Sequence, residues 1–221
     1  MGNKNKAGLG TMSNSDAEKI RVMGHRGFVG GNGAFWDEIA ALQFNYLKSE
    51  GLQKKDTLID VACGSLRAGR LFINYLDVGN YLGIDKEIDL IIHGVNEELG
   101  ISAFVEKAPE FVISGDFEFG KFSKVPNFAI AQSLITHLTA DDIYKCFKSL
   151  RDIIAEDGKF YATFFEVTAP VDNFRKSDAI DCFFYTRQEI SLLASLTGWN
   201  THYVGDWGHP RGQKMIRLDP K

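Results

Sequence analysis

Several things are missing from this 221-residue chain, and each absence removes a class of function. Three cysteines, Cys63, Cys146 and Cys182, are odd in number and widely spaced, which suggests reduced thiols in a cytoplasmic protein and not a disulfide frame. No apolar run reaches the roughly 18 residues of a membrane helix. There is no basic excess: net charge is −4 and the pI about 5.8, so the electrostatic footprint of a nucleic-acid binder is absent. The five histidines are scattered, and no Cys/His cluster has the spacing of a metal site, so no metal is expected.

What is present is a strand–helix alternation. Phe35–Lys48 carries Phe35, Ile39, Leu42 and Tyr46 at helical spacing. Short apolar strands follow at Thr57–Ala62, Asn80–Asp85, Glu110–Asp116, Phe128–Ser133 and Lys159–Glu166. Helical patterns lie between most of them, near Arg67–Leu76, around Ile88–Leu99, and from the capping residue Thr139 to Gly158. Thr186–Glu189 has the spacing of a capping box, and its helix stops at Gly198. Two last strands, separated only by "GHPRGQ", are too close for a helical crossover and must run antiparallel. The expectation is an α/β fold: a seven-stranded, mostly parallel, doubly wound sheet with a reversed last strand. Residues 1–18 read as a flexible polar tail. Residues 19–221 form one domain, with 19–50 as an N-terminal lid and helix that includes "GHRGFVGGNGAFW".

The chemistry concentrates at strand ends. "IDVACGSLRAGRL" passes from a strand through a Gly/Ser turn into a helix. It lacks the lysine of a P-loop and the three glycines of a dinucleotide loop, so both phosphate readings are weak. One glycine, Gly64, permits close backbone approach, and Ser65 can cap the helix. Asp85 ends the second strand, where a carboxylate can accept from both ribose hydroxyls. Asp116 ends the third, where it can accept from an adenine amine, with Phe117 against the ring. A nucleoside cofactor without a phosphate fits this set.

With those residues in view, the chain from about Gly24 to Leu218 resembles the class I (Rossmann-like) S-adenosylmethionine-dependent methyltransferase family. "LIDVACGSLRAGR" is similar to its first motif, "YLGIDKE" to the second, "SGDFEF" to the third and "FAIAQSLITHL" to the fourth. The resemblance implies S-adenosylmethionine as cofactor and S-adenosylhomocysteine as product. It implies that Asp60 orients the glycine turn, that Ala62, Cys63 and Gly64 run along the methionine, and that Gln132 lies at the sulfonium end. Ser65, Lys86 and Ser133 join Asp85, Asp116 and Phe117 as expected cofactor contacts. The departures are Ala62 and Leu66, which stand where the motif has its first and third glycines.

Candidate catalytic residues are those brought to the acceptor face: His137, Glu166, His209 and Arg211. Trp36, Phe165 and Gln213 are expected to line the acceptor. The Asn/Asp-Pro-Pro-aromatic motif for nucleobase amines is absent, with "AQSL" in its place. A small polar or sugar-like acceptor remains, methylated at oxygen or else at nitrogen, with no nucleic-acid or membrane partner. Two other readings are a non-catalytic S-adenosylmethionine-binding module and a nicotinamide-dependent oxidoreductase.

Overall fold

One sheet runs through the molecule with helices on both faces. The computed structural model describes residues 15–30 and 35–221. Its strands are β1 (Leu58–Val61), β2 (Tyr81–Asp85), β3 (Glu110–Ile113), β4 (Phe128–Ala131), β5 (Lys159–Glu166), a two-residue β6 (Phe184–Tyr185), β7 (Trp199–Asp206) and β8 (Lys214–Pro220). Seven of them stand in the order β3-β2-β1-β4-β5-β8-β7, and β6 pairs with β5 off this path. All pairings are parallel except those of β8, which is antiparallel to both β5 and β7. This is the expected sheet with its reversed last strand.

The helices are α1 (Asp16–Met23), α2 (His25–Gly30), α3 (Trp36–Ser49), α4 (Gly69–Tyr75), α5 (Ile88–His93), α6 (Ile101–Lys107), α7 (Ala140–Arg151) and α8 (Arg187–Leu196). Strand side chains alternate between two apolar layers, as the pleat requires. Ile59, Val61, Leu82, Ile84, Ala129, Ala131, Phe160, Ala162 and Phe164 point into the layer that α7 and α8 cover. Leu58, Tyr81, Phe128, Ile130, Tyr161 and Met215 point into the layer that α3 and α4 cover. Both faces of the inner strands are buried, so these strands read in sequence as continuous apolar runs.

Helix α7 shows how the sequence specifies a packed element. Thr139 accepts the Asp142 N–H at its N-terminus, a cap worth about 1 kcal/mol. Ile143, Phe147 and Leu150 are fully buried on one face, each contributing roughly 1.5–3 kcal/mol of burial. The helix ends at Arg151, with Asp152 as its cap, and not at Gly158. Gly158 serves the following turn instead: a Cβ there would meet Ile154 Cγ1 at 2.7 Å and the Ala155 carbonyl oxygen at 2.8 Å.

Three other boundaries differ from expectation. Strands β1, β3 and β4 end earlier than expected, at Val61, Ile113 and Ala131, where the chain leaves the ladder for the cavity loops, while β2 keeps Asp85 in register with Ile113. The helix around Ile88–Leu99 changes at His93 into a π-helical turn, Gly94–Leu99, and α6 follows it. At the N-terminus, Ser15 caps α1 by accepting the Glu18 N–H at 3.3 Å. Helix α1 therefore starts inside the segment expected to be tail; residues 1–14 of that tail and 31–34 of the expected lid lie outside the described residues.

Candidate functional site

Strand order reverses at β1, whose neighbours are β2 and β4. In an open α/β sheet that is where the carboxyl ends of the strands leave a crevice. A cavity of about 420 Å³ opens there, within the range of small-molecule sites. Its floor is the loop that leaves β1. Ala62, Gly64 and Leu66 all have left-handed backbones, with φ of 60°, 54° and 61°. These are the three positions at which the resembling motif has glycine. The coil of the loop is thus present although two of its glycines are not.

Each departure has a physical counterpart. Ala62 is exposed to the cavity, where a methyl group meets no neighbour that the loop must avoid. Leu66 is fully buried and fits because the residues facing it are glycines. A Cβ on Gly69 would lie 2.9 Å from Leu66 Cδ2, and one on Gly94 would lie 2.8 Å from Leu66 Cγ and 2.7 Å from the Ser65 carbonyl carbon. The bulk absent from the π-helical turn is supplied by the loop. Gly64 itself is constrained twice, by its φ and by Val29, whose Cγ2 would lie 3.1 Å from an added Cβ.

Two buried carboxylates stand on one wall. Asp85 accepts the Gly64 N–H at 2.8 Å and the Glu87 N–H at 2.9 Å, so it ties the β1 loop to the end of β2. Burial raises its pKa, against the lowering effect of those two backbone N–H groups. Asp60 accepts the Tyr81 hydroxyl at 2.8 Å, and burial pushes its carboxyl up to about 6. Further along the cavity come Ser114, Asp116 and Phe117 at the end of β3, and Lys86, which donates to Asp16 of α1 at 2.6 Å.

At the end of β4 a polar network is closed and largely buried. The Gln132 amide donates to Ser133 Oγ at 2.9 Å and lies 3.3 Å from Gln213 Oε1 and 3.1 Å from His209 Nε2. Its Oε1 accepts from Arg67. Thr163 accepts the Ser133 N–H and donates to Gln213 Oε1, both at 2.8 Å. Gln213 donates to Ser133 Oγ at 2.5 Å.

The structure divides the expected site residues. Asp60, Ala62, Cys63, Gly64, Asp85, Lys86, Asp116, Phe117, Gln132, Ser133 and His137 all line the cavity. His137 Nδ1 lies 3.0 Å from the Asp181 carbonyl oxygen. A carbonyl only accepts, so the ring proton sits on Nδ1 and Nε2 keeps its lone pair. Burial lowers the pKa of this histidine.

Others fall outside. Ser65 is fully buried with no partner for its Oγ among the described residues, and it does not cap α4, whose N-cap is Ala68. Gln213 and His209 stand behind Gln132 instead of on the cavity wall. His209 Nδ1 accepts the Arg211 N–H at 3.2 Å, its ring stacks on Trp207, and burial, then Arg67 and Arg211, push its pKa down to about 4. Arg211 donates to the Gly30 carbonyl, tying the β7–β8 hairpin to α2. Trp36 is buried beneath α2 and donates to Glu98 at 3.3 Å. Glu166 and Phe165 are remote from the cavity: Glu166 accepts the Tyr203 hydroxyl and Phe165 packs on Phe184. Glu166 lies two residues past Phe164, on the α7/α8 face, opposite Thr163.

The sequence reading did not single out Arg67, Gln43 or the Ser177–Ala179 segment, and it placed Phe28 and Val29 only within a segment expected as a lid; all of them line the cavity. Arg67 stood in the quoted motif as an unpaired charge. The 177–179 segment carries no local signal.

No family model and no curated protein sequence matches the chain. Solved structures do. Magnesium protoporphyrin IX methyltransferase (ChlM) from Synechocystis PCC 6803, with S-adenosylhomocysteine bound, superposes with a TM-score of 0.61 at 10% identity, covering 96% of this chain and 90% of its own. A TehB-like S-adenosylmethionine-dependent methyltransferase from Corynebacterium glutamicum gives 0.59 at 14% identity, covering 93% and 98%. The PH0226 protein from Pyrococcus horikoshii OT3 gives 0.65 at 18%, covering 92% and 99%. This chain has the class I methyltransferase fold.

Within that methyltransferase fold, strand parity collects the polar residues of the site. Asp60 shares the face of Leu58, Asp85 that of Tyr81, Gln132 that of Ile130, Thr163 that of Tyr161 and Gln213 that of Met215. All five belong to the side covered by α3 and α4. Phe28 and Val29 of α2 close the cavity from one direction, and Ser177–Ala179 from the other.

Proposed function

We propose that this protein is a methyltransferase that uses S-adenosylmethionine to methylate a small polar or sugar-like acceptor, at oxygen or else at nitrogen. The observation that carries the reading is the loop Ala62–Leu66, with three left-handed positions at alternate residues and its Gly64 N–H held by Asp85, on the floor of a cavity at the sheet's switch point. A backbone coiled in this way admits a ligand chain against it without side-chain obstruction.

The residues suit the cofactor. Asp85 retains lone pairs beyond the two that take backbone N–H groups, and these suit ribose hydroxyls. Asp116 and Phe117 suit the adenine. Ala62, Cys63 and Gly64 suit the methionine chain, and Asp60, whose carboxyl burial raises to about 6, suits its ammonium group, which would hold the carboxyl in its charged form. When bound, the cofactor supplies a methyl group already activated by its sulfonium. The protein's part is alignment, together with a proton acceptor for a hydroxyl substrate. Gln132 stands where a sulfonium end would meet the acceptor. Burial favours the neutral form of His137 and it lines the cavity, so of the candidate bases it is the one this reading retains.

Titration calorimetry with S-adenosylhomocysteine, using NAD as the comparison ligand, tests the cofactor. A screen of hydroxyl and amine acceptors for S-adenosylhomocysteine release tests the reaction. Binding of NAD, or of neither ligand, would remove the reading. His137→Gln is expected to lower turnover by roughly 100-fold with S-adenosylhomocysteine affinity unchanged; equal turnover would exclude base catalysis by this histidine.

A further inference from the structure

Among the described residues of the cavity wall, Arg67 is the one buried cation, and no carboxylate lies within ion-pair distance of it; Asp60 acts on it only from further off. Its relative exposure is 6%. The guanidinium donates to Gln132 Oε1 and lies 5.7 Å above the Trp36 ring. Among the described residues its Nε has no hydrogen-bond partner. Arg211 adds a second positive charge nearby, and it bonds to a backbone carbonyl, not to an acid. Among the described residues neither guanidinium forms an ion pair. The contrast within the molecule is direct: Arg26, Arg70, Arg151 and Arg217 each meet a carboxylate.

A buried charge without a counter-ion is strongly unfavourable unless something completes it. Burial and Arg211 lower the Arg67 pKa, Asp60 opposes them, and the result is about 10, so the group does not escape by losing its proton at neutral pH. An anion in the cavity would meet the charge through the guanidinium's terminal nitrogens. Asp60 and Asp85 share the cavity, and they would repel a doubly charged phosphate more than a singly charged group.

We infer that Arg67, backed by Arg211, is a carboxylate-binding point built into the cavity. This rests on the methyltransferase reading for one of its two sources, the terminal carboxylate of the cofactor's methionine. The other source is a carboxylate on the acceptor. In either case Gln132 and Trp36 hold the guanidinium in place, and the fork of Arg67 receives the two oxygens.

The test compares S-adenosylhomocysteine with 5′-methylthioadenosine, which has the nucleoside and thioether but no amino acid. Wild-type protein should favour the first by about 100-fold. Arg67→Gln should reduce that ratio about tenfold or more while 5′-methylthioadenosine affinity holds, and Arg67→Lys should restore part of it. That pattern assigns the cofactor carboxylate. If the ratio is unchanged, acetate is titrated against the protein saturated with S-adenosylhomocysteine. Acetate binding that is present in wild type and lost in Arg67→Gln assigns the acceptor carboxylate. An unchanged ratio, with acetate binding equal in both proteins or absent from both, overturns the inference. If Arg67→Gln gives no cooperative melt, Arg67→Met, which keeps the stem over Trp36, takes its place in both arms. Wild-type protein that binds neither nucleoside refutes the cofactor reading instead, and acetate titrated against the free protein then decides Arg67 alone.

Discussion

Asp60 and His209 are buried groups whose ionisation is opposed by their surroundings, in opposite directions. The Asp60 carboxyl is raised from 3.8 to about 6. Its contribution to stability is complete below pH 3.8 and is lost as pH rises through about 6, on the order of 2–3 kcal/mol. Asp60→Asn keeps an acceptor for Tyr81 and removes this loss. The variant is expected to gain stability relative to wild type between pH 4 and 7 in ligand-free urea titrations. His209 is lowered from 6.5 to about 4, so its contribution is present above pH 6.5 and is lost as pH falls through 4. His209→Gln should flatten that acid limb, and an unchanged limb would mean that another group unfolds the protein there. The left-handed loop positions give a third expectation. Ala62→Gly relieves a strain of about 1–2 kcal/mol but adds unfolded-chain entropy of roughly 0.5–1 kcal/mol. A net gain of about 0.5 kcal/mol should appear as a higher urea midpoint at constant slope.

At the scale of elements, α2 is the part that the sequence left open. It is six residues long and has no strong helical pattern, so its position depends on what it touches. Glu98 of the π-helical turn is the centre of those contacts. Its side chain is 3% exposed and accepts from Arg26 at 2.5 and 3.0 Å and from the Trp36 indole at 3.3 Å. His25 and His93 stack 5.3 Å apart, and Glu97 contacts both. Removing the Glu98 charge leaves its donors short of an acceptor, at a cost of about 2 kcal/mol. Glu98→Gln is therefore expected to speed amide exchange across residues 25–30. It should also weaken S-adenosylhomocysteine binding, because Phe28 and Val29 form part of the cavity. Unchanged exchange would show that α2 is held by packing alone.

For the molecule as a whole, the fold was legible because its signals are local and repeated. Each strand is an apolar run, most of the crossover helices carry a period, and the short "GHPRGQ" turn forces the antiparallel pair. Two residues of the cavity wall were legible for the same reason: Asp85 and Gln132 are polar residues at the ends of apolar strands. The acceptor side was not, because its membership depends on which way a strand end points. Glu166 and Thr163 are three residues apart on β5 and so lie on opposite faces, and only the network around Gln213 reveals which face is the site. Arg67 required the packed structure to become conspicuous, since a lone arginine in a sequence does not show whether it has an acid beside it. The glycines and aromatics around α2 suggested only a lid, and the 177–179 segment carries no pattern at all, because the placement of both is set by partners distant in sequence.

The exchange of bulk between Leu66 and Gly94 bears on how such a loop could be inherited. With Leu66 present, a methyl group at position 94 meets it at 2.8 Å and meets the Ser65 backbone at 2.7 Å. The backbone contact does not depend on what residue 66 is, so shortening Leu66 would not open position 94. A lineage that keeps this loop path is therefore expected to hold glycine at 94 whatever stands at 66.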